Sequence, residues 1–254
     1  MYTKQQLMQH MADMGIDPKG TLLIHSSMKS IGEVDGGADT VLDAFIEYMK
    51  DGLLILPTHT WSQISLKNPV FHAATEPSCV GLLTNMFMKR PGVVRSLHPT
   101  HSIAAIGKEA AEYVKGEELT NSPCPRNGCW GRLYDRKAQI LMLGVGLGRY
   151  TFMNSVEEWL DIPDRLTAEP HILYTVAPDG TRYTVPQHRH MHGNSDFFVK
   201  MDDVYLESGA MKRTKFGDAD CLLCDSVKTA EIAVKYLSKY PALFSDDSPL
   251  PTLE

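Results

Sequence analysis

Two uninterrupted apolar runs, Leu22-Leu23-Ile24 and Leu53-Leu54-Ile55-Leu56, narrow the folds open to this chain more than any other feature. Each is too short for an ordinary helix and lacks the alternation of a half-wet strand, so each reads as a buried strand. Between them, Ser26-Ser27-Met28-Lys29-Ser30-Ile31-Gly32 is a hydroxyl-rich loop ending in glycine. Gly36-Gly37 then opens a segment whose Val41, Leu42, Phe45, Tyr48 and Met49 recur at helical spacing until Asp51-Gly52. Strand, loop, helix and strand within about 35 residues form a βαβ unit, the building block of a parallel sheet covered by helices.

Thr3 and Gln6 cap a first helix carrying Leu7, Met8 and Met11, with Gly15 as its stop. Residues 78–89 and 108–114 read as helices, 103–106 as a short strand and 139–145 as the most strand-like run, leading through Gly146-Leu147-Gly148-Arg149 into a helix over 151–160. Residues 172–177 and 181–185 then flank Pro178-Asp179-Gly180, a hairpin signal. A last helix is capped by Asp225 and presents Val227, Ala230, Val234 and Leu237. The predicted class is α/β: a mainly parallel central sheet flanked by helices, with an antiparallel excursion in the second half. No linker or repeat divides the chain, so a single domain spans 1–254, with 245–254 as a tail.

Composition excludes several functions. With 25 Lys and Arg against 31 Asp and Glu, the net charge of −6 lacks the basic footprint of a nucleic-acid binder. No window approaches about 18 consecutive apolar residues, so no membrane role is expected. The amino terminus opens directly into an amphipathic segment, which predicts a cytoplasmic protein. The cysteines, Cys79, Cys124, Cys129, Cys221 and Cys224, are odd in number and form no disulfide framework. Cys221-Leu222-Leu223-Cys224 has the spacing of a zinc knuckle without a second pair, so it reads as two thiols on an apolar strand, and no metal is expected.

Polar residues gather in two places. The Ser26–Gly32 loop joins a strand end to a helix N-terminus, where backbone N–H groups and the helix dipole favour phosphate; an ordinary turn beside a satisfied His25 fits equally. It has neither the Walker nor the dinucleotide pattern, and the turn at Gly144-Val145-Gly146-Leu147-Gly148 lacks the lysine and acidic partners of a nucleotide hydrolase. Further on, Arg95-Ser96-Leu97-His98-Pro99-Thr100-His101-Ser102 concentrates an arginine, two histidines and three hydroxyls. Arg95 has the geometry to grip a phosphate, with Ser96 and Ser102 beside it, while either histidine alone fits a core or turn role.

These segments, together with Leu56-Pro57-Thr58, Pro123-Cys124, Trp130-Gly131, Leu143-Gly144-Val145 and Phe216-Gly217-Asp218-Ala219, resemble in order the aminoglycoside 3-N-acetyltransferase family, which is distinct from the common N-acetyltransferase fold. The resemblance implies acetyl-CoA as cosubstrate and direct transfer to the 3-amino group of a cationic aminoglycoside, conferring resistance, by a monomer or homodimer. It assigns the pantetheine and phosphates to His25, Ser26, Ser27, Ile31, Gly32, Arg95, Ser96, His98 and Ser102, and the acceptor side to Thr60 and Trp61. The acidic surplus is then available to attract the amine.

One position departs. After the glycine turn the family has Asn or Arg, Thr, two residues, a catalytic His, two residues and Glu; this chain reads Thr151-Phe152-Met153-Asn154-Ser155-Val156-Glu157. A carboxamide cannot take a proton near neutral pH, so the base contribution, ~10²–10⁴-fold, is missing or supplied elsewhere. Three explanations stand open: a natural homologue with another base, a CoA-binding homologue without turnover, or an engineered variant. Gln187-His188-Arg189-His190-Met191-His192 offers replacements, and on a strand its alternate histidines share one face. His190 is the surrogate base in this reading, with His188 and His192 on the substrate side. Glu157, three residues after Asn154, shares its helical face and orients it or neutralises an ammonium.

Overall fold

The computed structural model describes residues 1–191 and 194–253. Among these residues ten strands are formed: β1 Thr21–Ser26, β2 Leu53–Pro57, β3 Val70–His72, β4 Val94–Arg95, β5 Ile103–Gly107, β6 Gln139–Leu143, β7 His171–Val176, β8 Arg182–Gln187, β9 Met211–Phe216 and β10 Ala219–Asp225. The α-helices are α1 Lys4–Asp13, α2 Gly37–Tyr48, α3 Leu82–Phe87, α4 Ala110–Tyr113, α5 Cys129–Asp135, α6 Thr151–Trp159, α7 Asp202–Glu207 and α8 Ser226–Lys239. Seven strands make one sheet in the order β4-β5-β2-β1-β6-β10-β9, and β3-β7-β8 make a second.

The βαβ unit forms as the apolar runs predict, with β1 parallel to β2 and, on its other side, to β6. Successive residues of these strands feed opposite faces: Leu22, Ile24, Leu54 and Leu56 join a core with Phe45 and Phe216, while Leu23, Leu53 and Ile55 join one with Trp130 and Phe152. The class is α/β, with the parallel pairing at the centre of the sheet. Antiparallel pairing reaches beyond the predicted β7–β8 hairpin, since β5, β4, β10 and β9 all join antiparallel. The two-residue turn Gly217-Asp218 explains the last pair: Gly217 has φ +58°, and a Cβ there would stand 2.3 Å from the Ile31 carbonyl.

Local signals hold at several helix ends. Thr3 and Gln6 form the reciprocal cap of α1, and the Asp225 carboxylate accepts from the Val227 and Lys228 N–H groups. The third helix is shorter than its sequence span, covering only Leu82–Phe87 after Gly81 at φ +121°. On α8 the buried face is rotated toward small residues: Thr229, Ala230, Ala233, Tyr236 and Leu237 are buried, whereas Val227 and Val234 are half-buried. The final segment lies along the molecule, with Leu250 and Leu253 packed on the core. Among the described residues no helix is long and apolar enough to cross a membrane.

Candidate active site

The carboxyl ends of the three parallel strands open into one cavity of about 620 Å³, where open α/β sheets place their ligands. Ile24, His25 and Ser26 come from the end of β1, Pro57 and His59 from the end of β2, and Val145 follows β6. One side of α6 supplies Thr151, Asn154 and Glu157, and the chain beyond β8 supplies Arg189, His190 and Met191. His101, Trp61 and Arg165 complete this polar half. Asn154 and Glu157 therefore reach the same cavity, as their spacing on a helix predicts.

Several expected residues lie beneath this wall instead. Arg95 is part-buried and its donors are spent internally: on the carbonyls of Thr58 (2.8 Å), Glu76 (2.6 Å) and Ala73 (3.3 Å) and the hydroxyls of Thr58 and Ser102. Ser96 Oγ accepts the Ile103 N–H, and Ser102 donates to the Thr58 carbonyl. His98 Nδ1 accepts the N–H groups of Thr100 and His101, so its Nε2–H donates to the Ser122 carbonyl at 3.0 Å. Burial lowers its pKa to about 4, keeping it neutral. The second polar cluster is thus a hydrogen-bonded floor. A phosphate grip by Arg95 would strip the Ala73 and Glu76 carbonyls of their donor.

The first loop divides in the same way. His25 and Ser26 line the cavity, but Ser27, Ile31 and Gly32 do not: Ile31 is fully buried and Gly32 is packed on Asp218. Thr60 is also buried, donating to the Pro99 carbonyl, whereas Trp61 reaches the wall. The alternating histidines leave the strand, because β8 ends at Gln187 and His190 makes only an isolated bridge to Leu166. His188 turns away, its Nδ1 on the Thr167 carbonyl, and His192 lies outside the described residues.

Sequence reasoning did not place His59, His101, Arg165 or Glu158. The rings of His59 and His101 are 4.8 Å apart, and His101 is 5.2 Å from His190. Burial and the neighbouring imidazoles push His59 and His101 well below the ordinary value, and burial lowers His25 to about 3. His59 Nε2 lies 3.3 Å from the Thr151 hydroxyl. Arg165 donates to Glu157 at 2.7 Å, yet burial still raises that carboxyl to about 7. Glu158 accepts the Ser122 hydroxyl, the Cys124 N–H and His190 Nε2. Cys124 Sγ gathers with Glu158 and His190 within 4.8 Å, but burial raises the thiol's pKa and the carboxylate is already engaged, which describes a hydrogen-bond network.

The wall does not carry the acidic surplus of the chain as a whole. Among the described lining residues, Glu157 is the carboxylate, set against Arg149, Arg165 and Arg189. Arg189 is committed to the carbonyls of Ile64 and Trp61, and Arg165 to Glu157. Arg149 sits at the mouth with its side chain 70% exposed, 3.9 Å from Asp196.

Comparison with known proteins is consistent with this architecture. The family model described as aminoglycoside 3-N-acetyltransferase matches residues 23–238. The chain belongs to the aminoglycoside 3-N-acetyltransferase family. It is 24% identical to the SPbeta prophage-derived aminoglycoside N(3')-acetyltransferase-like protein YokD of Bacillus subtilis (strain 168), over 92% of each chain. A mutant of aminoglycoside acetyltransferase AAC(3)-IVa in complex with a gentamicin superimposes with TM-score 0.84 at 26% identity, covering 96% of this chain and 91% of that one. The binary complex of AAC-IIIb with CoASH gives TM-score 0.82 at 20% identity, covering 94% of this chain and 97% of that one.

Proposed function

We propose that this protein transfers the acetyl group of acetyl-CoA directly to an amino group of an aminoglycoside, at the 3-position as in its family. The reading is carried by one observation: α6 presents Thr151, Asn154 and Glu157 to a cavity at the carboxyl ends of the parallel strands, in a chain matched by the family over 23–238. His25 and Ser26 sit at the end of β1, and Arg149 at the mouth is a cation suited to a phosphate. Thr151 carries a hydroxyl able to donate to a developing oxyanion. Acetyl-CoA supplies the activated acyl group. The chain's residues orient the amine: Asn154 donates and accepts hydrogen bonds, and the Glu157–Arg165 pair fixes the carboxylate beside it. Cys124, Cys129, Cys221 and Cys224 are buried and Cys79 lines the cavity; direct attack by the amine passes through no thiol intermediate and gives none of the five a covalent role.

Asn154 favours a second reading, a CoA-binding homologue without turnover, because a carboxamide accepts no proton. Thiol release separates the two. With acetyl-CoA and a panel of aminoglycosides, acetyl transfer predicts CoA release that depends on the acceptor. A chain that is stabilised by acetyl-CoA yet releases no thiol with any of them fits the second reading.

A further inference from the structure

We propose that Glu158 and His190 form the proton-accepting pair for the attacking amine, placing the base on the segment after β8 rather than at position 154. This inference rests on the acetyl-transfer reading above. Asn154 has no titratable nitrogen, and Glu157 is already bound to Arg165 at 2.7 Å. Histidine side chains in the wall come from His25, His59, His101 and His190. His25, His59 and His101 are buried, with 8%, 4% and 8% of their surface exposed, and their burial resists the charged state a base must enter. The His190 side chain is 22% exposed, and its Nε2 lies 2.8 Å from Glu158 Oε1, whose side chain is only 4% exposed.

Glu158 is preset for this task. Its Oε2 accepts the Ser122 hydroxyl at 2.6 Å and its Oε1 also accepts the Cys124 N–H at 2.9 Å, which fixes the carboxylate before any substrate arrives. A carboxylate can only accept, so in the neutral imidazole the proton sits on Nε2 and the lone pair on Nδ1. The His190 backbone is pinned by its bridge to Leu166 and by the Met191 N–H on the Arg165 carbonyl. The groups facing the ring are the neutral imidazoles of His59, His98 and His101, the Cys124 thiol, Arg189 on its own segment and the Glu157–Arg165 pair. Glu158 is the carboxylate in hydrogen-bond contact with the ring, so it balances an imidazolium that Arg189 would otherwise oppose.

In the step itself the amine nitrogen bonds to the thioester carbonyl carbon and His190 Nδ1 takes the amine proton. The carbon–sulfur bond then breaks, and the proton passes from His190 to the leaving sulfur. The products are the amide and the free thiol, with no change of oxidation state. Glu158 acts as a positioning residue, holding the tautomer and stabilising the transient charge.

His190→Asn, Glu158→Gln and the double variant His190→Asn/Asn154→His test the pair by pH-resolved thiol-release kinetics beside thermal melting with acetyl-CoA. His190→Asn is expected to lose ~10²-fold or more in kcat/KM together with the acid limb of the pH profile, while acetyl-CoA still raises Tm. Glu158→Gln is expected to lower kcat with the KM for acetyl-CoA unchanged, and Asn154→His to restore rate to His190→Asn. A wild-type chain that turns over and a folded His190→Asn that keeps both rate and acid limb overturn the pair alone. Absence of turnover in the wild-type chain overturns the acetyl-transfer reading beneath it. If His190→Asn does not fold, unchanged kcat in Glu158→Gln overturns the pair.

Discussion

Arg95 shows how a part-buried charge is held without a carboxylate in direct contact: three carbonyls and two hydroxyls take its donors, and its guanidinium stacks 4.8 Å from the Phe71 ring. Replacing it by Gln takes the Arg95 donor from the Ala73 and Glu76 carbonyls, while the Thr58 carbonyl keeps the Ser102 hydroxyl, so Arg95→Gln is expected to cost roughly 3 kcal/mol, about 6–12 °C in Tm for a chain of this size. The KM for acetyl-CoA of the folded variant should be unchanged; a raised KM at unaltered Tm would restore Arg95 to the cofactor site. Glu117 poses the opposite problem. Fully buried, its Oε1 accepts the Cys129 N–H at the start of α5 while Oε2 has no partner among the described residues, and burial raises the carboxyl to about 7 from an ordinary 4.5. The folded state thus holds a proton that the unfolded chain releases above about 4.5, so this residue's contribution falls as pH rises to about 7 and is level beyond. Glu117→Gln should therefore be more stable than wild type at pH 8, by up to roughly 3 kcal/mol, with the difference vanishing near pH 4. Denaturant unfolding of both proteins across that range measures it.

At the level of elements, the β9–β10 turn and the loop after β1 brace one another. Gly217 packs against the Ile31 carbonyl, and the Asp218 N–H donates to that same carbonyl at 2.9 Å. Gly217→Ala imposes both left-handed strain and a backbone clash, so a loss of at least about 2 kcal/mol is expected by denaturant unfolding. Gly180→Ala, at φ +86° in the β7–β8 turn with open space around it, should cost only the strain, about 1–2 kcal/mol. Equal losses would remove the clash from the account. Helix α6 links packing to chemistry: Phe152, Met153 and Val156 are buried in the core while Thr151, Asn154 and Glu157 line the cavity. Its period was readable from sequence, and so was the placement of Asn154 beside Glu157. The role of Glu158 was not, because its partners Ser122, Cys124 and His190 come from two distant segments.

Over the whole molecule, two cores on opposite faces of one sheet leave the ends of β1, β2 and β6 free to form the cavity. A ligand held there stabilises only the folded chain, so acetyl-CoA at 100 times its dissociation constant should add about 2.7 kcal/mol, roughly 5–10 °C in Tm. No shift at millimolar acetyl-CoA would remove the cosubstrate. The sequence by itself determined the α/β class, the βαβ unit, the caps at Thr3 and Asp225, and the helix that carries Asn154 and Glu157, because each depends on residues a few positions apart. It also singled out His25, Ser26, Trp61 and His190, all of which line the cavity. Only the tertiary structure decided which polar residues face that cavity. A serine, histidine or arginine reads alike in sequence whether its donor meets a ligand or a buried carbonyl, and the carbonyls that claim Arg95, Ser102 and Thr60 come from segments remote in the chain. The same long-range assembly brought His59, His101 and Arg165 to the wall and set His190 on Glu158, since contacts between distant segments exist only once the sheet has formed.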